Sequence, residues 1–340
     1  MVRLENIYIA GTGTALGELR SIDEAVTAGE YPIDLAKDDG YVSVSICEDV
    51  PAIELAVGAA EQALDRAALG TNADLLLHAC VGFQGLDDFA CAAYLHHRLL
   101  KGDGVPSEVR QASNGALASL ELGAAFLAAR TDPAYALLAT SDVFAPPMYA
   151  RYGTPGTLYG DAGTALVLSN RPQRLQIRSI VSASDTTHEP LQRAGVPWMR
   201  HTGQSGWPID VAGRVATYVE EHGPEAMIDL VSRIRATEQS TIDTALAEAG
   251  ITTDQVTAWI FPNMGLTLTD WDARTAAGVA VERSTWEWGR TVGHLGAGDP
   301  FAALDHIEGT LTPGDHVVIN GSGTGFTFTS AVVTVVEAEA

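Results

Sequence analysis

Residues 135–142 read YALLATSD and residues 316–323 read HVVINGSG. Each is an apolar run of strand length, and each follows a stretch with helical spacing of its apolar residues. A second pair of similar stretches, EQALDRAAL at 61–69 and DTALAEAGI at 243–251, has the same separation of about 182 positions. One internal duplication explains both pairs, and it predicts two halves with the same order of elements.

The elements around these stretches alternate between strand-length runs and longer helical patterns, which predicts an α/β fold. In the first half we predict strands at NIYIAGTG, DLLLHACVG, YALLATSDVF and GTALVLSN. The helix that follows Ser113 has one apolar stripe, formed by Leu117, Leu120, Ala124 and Leu127. The second half repeats this order, from LQIRSIVSASD to the final hairpin GFTFTSAVVTVV. We therefore divide the chain into residues 1–172 and 173–340.

Composition limits the partners of the chain. Its 340 residues are 46% apolar, which is ample for a large core, and the formal net charge is −23. Such an acidic surface repels phosphate backbones, so we expect no nucleic-acid partner. It would also repel an acidic carrier protein unless arginines cluster locally, and the candidates for such a cluster are Arg151, Arg193 and Arg200.

Cysteine and hydropathy patterns indicate a reduced, cytoplasmic protein. The three cysteines form no CxxC pair, and the chain starts directly in a strand-like run without a basic leader. No stretch approaches 18 uninterrupted apolar residues, so we expect no membrane span. The nine histidines include no HExxH motif, so the sequence predicts neither a metal site nor a bound cofactor.

The stretch RQASNGALASLELG at 110–123 allows two interpretations of Ser113. Ser is a favoured N-cap before an apolar helix. Alternatively, Ser113 is a nucleophile at a helix N-terminus, where free backbone N–H groups favour negative charge. Two other motifs are interpreted as structural: Cys80 as a small buried residue, and GTGTALG at 11–17 as a strand-end turn, because its spacing does not fit a dinucleotide-binding loop.

Four stretches, in register along nearly the whole chain, resemble β-ketoacyl–acyl carrier protein synthase III, a family with the thiolase fold. They are EVRQASNGALASLELG at 108–123, YGDAGTALVL at 159–168, VGHLGAGDPFAALDHI at 292–307 and VVINGSGTGFTFTSAVV at 317–333. The resemblance implies a thiolase-like five-layered αβαβα fold of two duplicated halves and a twofold homodimer.

The residues at the family's catalytic positions differ in this chain. Where the family has Cys, His and Asn, this sequence has Ser113, Asn263 and His294, and Asp299 follows five residues after His294. Condensation by decarboxylation needs two donors that stabilise an enolate, whereas acyl transfer needs a nucleophile, a base and an oxyanion hole. The altered set therefore favours acyl transfer, with Ser113 as nucleophile, His294 as base and Asp299 holding the imidazole.

This set is similar to a branch of synthase III-like acyltransferases and starter-unit enzymes in polyketide and antibiotic biosynthesis. The resemblance implies that an acyl group moves from acyl-CoA or acyl carrier protein to Ser113, and then to the hydroxyl, amine or thiol of a small-molecule acceptor. It places the oxyanion hole at the backbone N–H groups of Ser113 and Thr324. It also makes Asn263, Gly323 and Gly325 candidates for the substrate pocket.

Three other functions remain open at this point. The chain could be a starter-unit synthase that condenses an acyl group with a malonyl unit. It could be a non-catalytic partner subunit without the family's cysteine. It could also be a thioesterase that passes the acyl group to water.

Overall fold

The computed structural model of the chain describes residues 6–204 and 206–337. In the first half the strands and α-helices follow in the order β1 (Tyr8–Leu16), β2 (Glu18–Ser21), α1 (Ile22–Thr27), α2 (Ile33–Asp39), β3 (Ser43–Ile46), α3 (Ala52–Ala67), β4 (Leu75–Ala79), α4 (Cys91–Leu99), β5 (Val105–Val109), α5 (Gly115–Ala128), β6 (Tyr135–Asp142) and β7 (Ala162–Ser169).

The second half continues with β8 (Leu175–Ser184), α6 (Val211–His222), α7 (Glu225–Ala249), β9 (Ala258–Ile260), α8 (Trp271–Ala276), α9 (Trp286–Val292), α10 (Asp299–Glu308), β10 (His316–Gly323) and β11 (Thr327–Val335). Short 3₁₀ turns precede the two helices that matter most for the site. They are Ala112–Asn114 before α5 and Gly296–Gly298 before α10.

The strand order repeats between the halves. In the first half the order from the middle outward is β1, β7, β6, β4 and β5, and in the second half it is β8, β11, β10 and β9. Both halves have the same pairings, antiparallel, antiparallel and then parallel. Strands β1 and β8 pair at Tyr8 and Ile9, which joins both sets into one nine-stranded sheet. The duplication predicted from the sequence is therefore confirmed in the topology.

The helices and strands form five layers, and helices α5 and α10 make up the central one. Helix α5 packs on β4 and β6 of its own half and on β11 of the other, while α10 packs on β1 and β7 as well as β9 and β10. Helix α3 covers the outer face of the first half and α7 that of the second. The predicted stripe on α5 is fully buried in the largest core, together with Phe301 and Leu304 of α10. The predicted α/β fold of five αβαβα layers is confirmed.

The predicted boundary between residues 172 and 173 falls in the loop from β7 to β8. Residues 1–5 and 338–340 of the two predicted halves lie outside the described residues. None of the helices in the described ranges has both the length and the apolar character needed to cross a membrane.

The prediction for GTGTALG was wrong in one respect. Its first six residues lie inside β1 rather than in a turn. A Cβ atom at Gly11 would lie 2.2 Å from the carbonyl oxygen of Ala63, and one at Gly13 would lie 2.1 Å from that of Ala59. These glycines therefore allow α3 to pack its backbone directly against the strand.

We expect the stability of the fold to depend on the central helices. Leu120→Ala, which truncates a fully buried side chain of α5, should lower the free energy of unfolding by about 2–5 kcal/mol. Leu122→Ala on the same helix truncates a side chain that is 53% exposed, and it should change the value by less than about 0.5 kcal/mol. Urea titrations of both variants test this, and equal losses would contradict the enclosed position of α5.

Candidate active site

The two 3₁₀ turns that begin the central helices lie side by side. A Cβ atom at Gly115, the first residue of α5, would lie 3.3 Å from the Cβ atom of Ala297 in the other turn. Because the turns occupy equivalent places in the two halves, the duplication itself brings them together. Ser113 lies in the first turn, and His294 and Asp299 flank the second.

A hydrogen-bonded chain links the three predicted catalytic residues. The hydroxyl Oγ of Ser113 is 2.8 Å from Nε2 of His294, and Nδ1 of His294 is 2.6 Å from Oδ2 of Asp299. His294 and Asp299 are buried, whereas Ser113 is half-buried. With its proton on Nδ1, the imidazole can accept the serine proton at Nε2. The geometry is that of a nucleophile, a base and a carboxylate that orients the base.

Asp299 is fixed by donors on both of its oxygens. The backbone N–H of Leu295 donates to Oδ1 at 2.7 Å, and the backbone N–H of Asn263 donates to Oδ2 at 2.9 Å. These bonds fix the position of the carboxylate beside His294. Asp299 is also the first residue of α10, where negative charge interacts favourably with the helix dipole.

Asn263 lies behind Asp299, and its side chain is directed at the carboxylate. Its Nδ2 atom donates to Oδ1 of Asp299 at 3.2 Å and to the carbonyl oxygen of Gly293 at 3.0 Å. The backbone carbonyl oxygen of Asn263 accepts from the hydroxyl of Tyr41 at 2.8 Å. The sequence prediction for Asn263 was a place in the substrate pocket. The structure adds a contact that supports Asp299, with the amide group shared between Asp299 and Gly293, and the place of Asn263 in the substrate pocket stays a prediction.

Nearby carboxylates favour the charged, protonated form of His294. Burial alone would lower the pKa of His294, but the carboxylates of Asp299 and Asp142 raise it above the ordinary value of 6.5. Cys80, one of three buried thiols, differs: burial raises its pKa to about 12. Cys80 therefore stays protonated at neutral pH, as expected of a structural cysteine.

Ser113 does not cap helix α5. No side chain caps α5, whose flanking residue is Asn114, and the hydroxyl of Ser113 bonds to His294 instead. Ala112, directly before Ser113, has φ +46°, a left-handed conformation that costs about 1–2 kcal/mol for a residue with a Cβ atom. Between the two interpretations of Ser113, the geometry favours the nucleophile.

The glycine-rich loop after β10 lies against the turn of Ser113. A Cβ atom at Gly323 would lie 2.5 Å from the carbonyl oxygen of Gln111, so the loop approaches the turn closely. Thr324 is exposed and Gly325 is half-buried, with φ +117°. This placement is compatible with an oxyanion hole formed by the N–H groups of Ser113 and Thr324. The oxyanion hole, and the pocket positions of Gly323 and Gly325, stay predictions.

An aromatic cluster next to His294 was not predicted from the sequence. The ring of Tyr159 lies 6.2 Å from that of His294 between centroids, and Phe144 stacks on Tyr159 at 4.6 Å. The backbones are also joined, since the N–H of Gly160 donates to the carbonyl oxygen of His294 at 2.9 Å. The motif YGDAG, which carried the family resemblance, therefore forms one wall of the site.

Comparison with known proteins gives a relative along the whole chain. ChlB3, named as an acyltransferase, is 32% identical, with 98% of each chain covered and a TM-score of 0.90. The C-terminal model of 3-oxoacyl-[acyl-carrier-protein] synthase III matches residues 246–335. The chain belongs to the synthase III-like enzymes of the thiolase superfamily.

Two more distant structures agree with the fold of this synthase III-like enzyme. A cysteine-to-serine variant of OleA from Xanthomonas campestris, with bound lauric acid and lauroyl-CoA, is 18% identical over 97% of this chain and 99% of that chain, with a TM-score of 0.75. The 3-oxoacyl-(acyl carrier protein) synthase III FabH from Xanthomonas oryzae pv. oryzae is 19% identical over the same shares, also with a TM-score of 0.75. At these identities the likeness extends to the fold alone.

The raised pKa of His294 in the synthase III-like enzyme can be tested through Asp299. Asp299→Asn removes the nearest negative charge, so His294 should titrate at lower pH than in the unchanged protein. Because the base must be neutral to accept a proton, the rate of any reaction at Ser113 falls at acidic pH. In Asp299→Asn this fall in the pH–rate profile should also move to lower pH. NMR titration of proteins with ¹³C-labelled histidine, assigned with His294→Gln, measures the shift. Asp305→Asn, on the same helix but bonded to Arg66 and Thr12, is the control and should leave the titration of His294 unchanged.

Proposed function

We propose that this protein is an acyltransferase that carries its acyl group as an ester of Ser113. The donor is the thioester of acyl-CoA or acyl carrier protein, and the acceptor is the hydroxyl, amine or thiol of a natural-product intermediate. The hydrogen-bonded chain from Ser113 through His294 to Asp299 carries this proposal. The similarity to ChlB3, named as an acyltransferase, supports the same class of reaction.

The reaction follows from the placement of one proton. Ser113 transfers its hydroxyl proton to Nε2 of His294 as Oγ attacks the thioester carbonyl, and Asp299 stabilises the imidazolium. Backbone N–H groups stabilise the oxyanion, at Ser113 and Thr324 in our assignment. The C–S bond then breaks, and His294 protonates the leaving thiolate. The acceptor repeats the cycle: it gives its proton to His294 and attacks the ester carbonyl, the bond from the acyl carbon to Oγ breaks, and His294 returns the proton to Oγ of Ser113.

The use of Asn263 favours acyl transfer over condensation. Decarboxylative condensation would need a second donor beside His294 at the malonyl thioester. Asn263 stands at the family's histidine position, but its amide hydrogens are directed at Asp299 and Gly293. The site therefore has the parts that acyl transfer needs and lacks an available second donor at that position.

The arginines of the chain bear on the choice between acyl-CoA and acyl carrier protein as the acyl donor. Arg151, one of three arginines considered for a carrier-protein contact, is buried and bonds to Asp161 through both of its terminal nitrogens at 2.9 Å. It cannot reach a partner. Arg193 pairs with Glu189 at 3.1 Å on the surface. These pairings weaken the case for an arginine cluster, so we propose that acyl-CoA be tested first. The twofold homodimer remains part of the proposal.

The acyl-serine intermediate is the most direct test of the function. After incubation with a panel of acyl-CoAs, intact-protein mass spectrometry should show one acyl group added to the chain and none added to Ser113→Ala. Ser119→Ala, which removes a buried hydroxyl of α5 that bonds to the carbonyl oxygen of Gly115, is the matched control and should still be acylated. A panel of acyl carrier proteins is the second arm.

The remaining outcomes separate the alternatives. Hydrolysis of acyl-CoA in the absence of an acceptor would identify a thioesterase. Release of CO₂ together with a β-ketoacyl product, from acyl-CoA and malonyl carrier protein, would identify a condensing enzyme. Absence of any added mass with every donor would contradict the proposal and favour a non-catalytic partner subunit.

His294 should control the rate of acylation. His294→Ala removes the base, so acylation of Ser113 in a single turnover should slow by about 10²–10⁴-fold, with little change in donor binding. Stopped-flow or quench-flow mass spectrometry measures the rate. His306→Ala on α10, whose ring stacks on Trp288, is the control for a histidine outside the site. An unchanged rate in His294→Ala would exclude His294 as the base.

A further inference from the structure

The last residues of the two repeated strands lie at the site, and they differ. YALLATSD ends at Asp142 and HVVINGSG ends at Gly323, positions related by the duplication. Each lies against the turn that begins the central helix of the other half. Gly323 contacts the turn of Ser113, and Asp142 contacts the turn between His294 and Asp299.

Asp142 is fully buried, and backbone N–H groups from two separate segments surround its carboxylate. Its Oδ1 atom accepts from Val81 at 2.7 Å and from Gly82 at 2.8 Å, in the loop after β4. Its Oδ2 atom accepts from the backbone N–H of Ala297 at 3.0 Å. One side chain therefore joins the first half of the site to the turn that carries the base.

Gly296 shows how closely Asp142 approaches this turn. A Cβ atom at Gly296 would lie 2.2 Å from Oδ2 of Asp142, and the residue has φ +63°. A residue with a side chain would push the carboxylate and the turn apart. The turn between His294 and Asp299 is thus shaped around the carboxylate of Asp142.

His294 is faced by charged and titratable groups from several elements. Asp299 bonds to it from the start of α10, and Ser113 bonds to it from the turn before α5. The ring of Tyr159 lies beside it, before β7. Asp142, at the end of β6, is a further negative charge that raises the pKa of His294.

Asp142 itself lies among weakly acidic groups. Burial is the main cause of the raised pKa of Tyr149 and of Cys80, and the charge of Asp142 raises both pKa values further. Arg110 lowers both pKa values. Burial raises the pKa of Asp142 to about 6, and the three N–H donors limit the shift. No cation bonds to this carboxylate within the described residues, so its charge acts on His294 without a direct counter-ion.

We propose that Asp142 is a positioning residue of the active site, which holds the turn of His294 and Asp299 in place and supplies a second negative charge toward the imidazole. It touches no substrate in this assignment. It acts by fixing where His294 stands relative to Ser113 and by favouring the imidazolium that forms when Ser113 loses its proton. Only the kinetic part of this inference, the effect of Asp142 on the rate of Ser113 acylation, rests on the proposed function.

The experiment measures the titration of His294 in the protein without substrate. In Asp142→Asn the ¹³C signal of His294 should titrate at lower pH than in the unchanged protein, and in Asp299→Asn the decrease should be larger. Asp39→Asn is the matched control. It removes another buried carboxylate, which accepts from Tyr31 and from the backbone of Gly156, and it should leave His294 unchanged.

The second readout is the rate of Ser113 acylation at a pH where His294 is neutral in all variants. Asp142→Asn should slow acylation on the order of tenfold without a change in donor KM, as is typical when an outer partner that orients a reactive group is lost. An unchanged titration of His294, or an unchanged rate under these conditions, overturns the proposal. If Ser113 is never acylated, the proposed function fails, but the titration still decides the placement of Asp142.

A measurement on the unchanged protein covers the case in which Asp142→Asn does not fold. The ¹³C carboxyl signal of Asp142, assigned through its backbone, should titrate near pH 6 and should show a second inflection where His294 titrates, because interacting groups titrate together. Titration in the ordinary aspartate range, with no inflection at the pH of His294, overturns the proposal.

Discussion

Helices α5 and α10 are enclosed between the two halves of the sheet, and this enclosure determines where the site can form. Both helices bury apolar faces against strands of both halves, so their burial fixes their positions within the core. The turns that begin them are then held beside each other, and buried polar residues are tolerated there because they are hydrogen-bonded. Ser113 and His294 come within hydrogen-bond distance as a consequence of packing, before any chemistry is considered.

Buried carboxylates are a second feature of this acidic chain, and each is stabilised in a different way. Asp161 is paired with Arg151, which neutralises it. Asp299 has His294 as partner and backbone N–H groups on both oxygens. Asp142 has backbone N–H groups from two segments instead of a cation. Only the last two act on His294, so the structure separates carboxylates that hold the fold from those that tune the base.

The sequence predicted the repeat, the order of elements along the chain implied by it and the three residues of the hydrogen-bonded chain. These were accessible because apolar periodicity reports local structure and because the family resemblance supplied equivalent positions. The contacts of Asn263 and Asp142 were not accessible, since both depend on partners distant in sequence. The carboxylate of Asp299 accepts from the side-chain amide of Asn263, and the backbone N–H of Ala297 donates to Asp142. The glycines of GTGTALG were misread for a similar reason: a close approach of helix and strand leaves the same residue pattern as a turn.

The crossed arrangement of strand ends and turns has a consequence for the history of the molecule. If the two halves descend from one ancestral unit, two copies of it would have met as a symmetric pair, each offering its strand end to the turn of its neighbour. Such a pair would have held two equivalent centres. Fusion of the copies would have freed the equivalent positions to differ. The present chain has Gly323 where the backbone passes close to the turn of Ser113, and Asp142 where a carboxylate binds the turn beside His294.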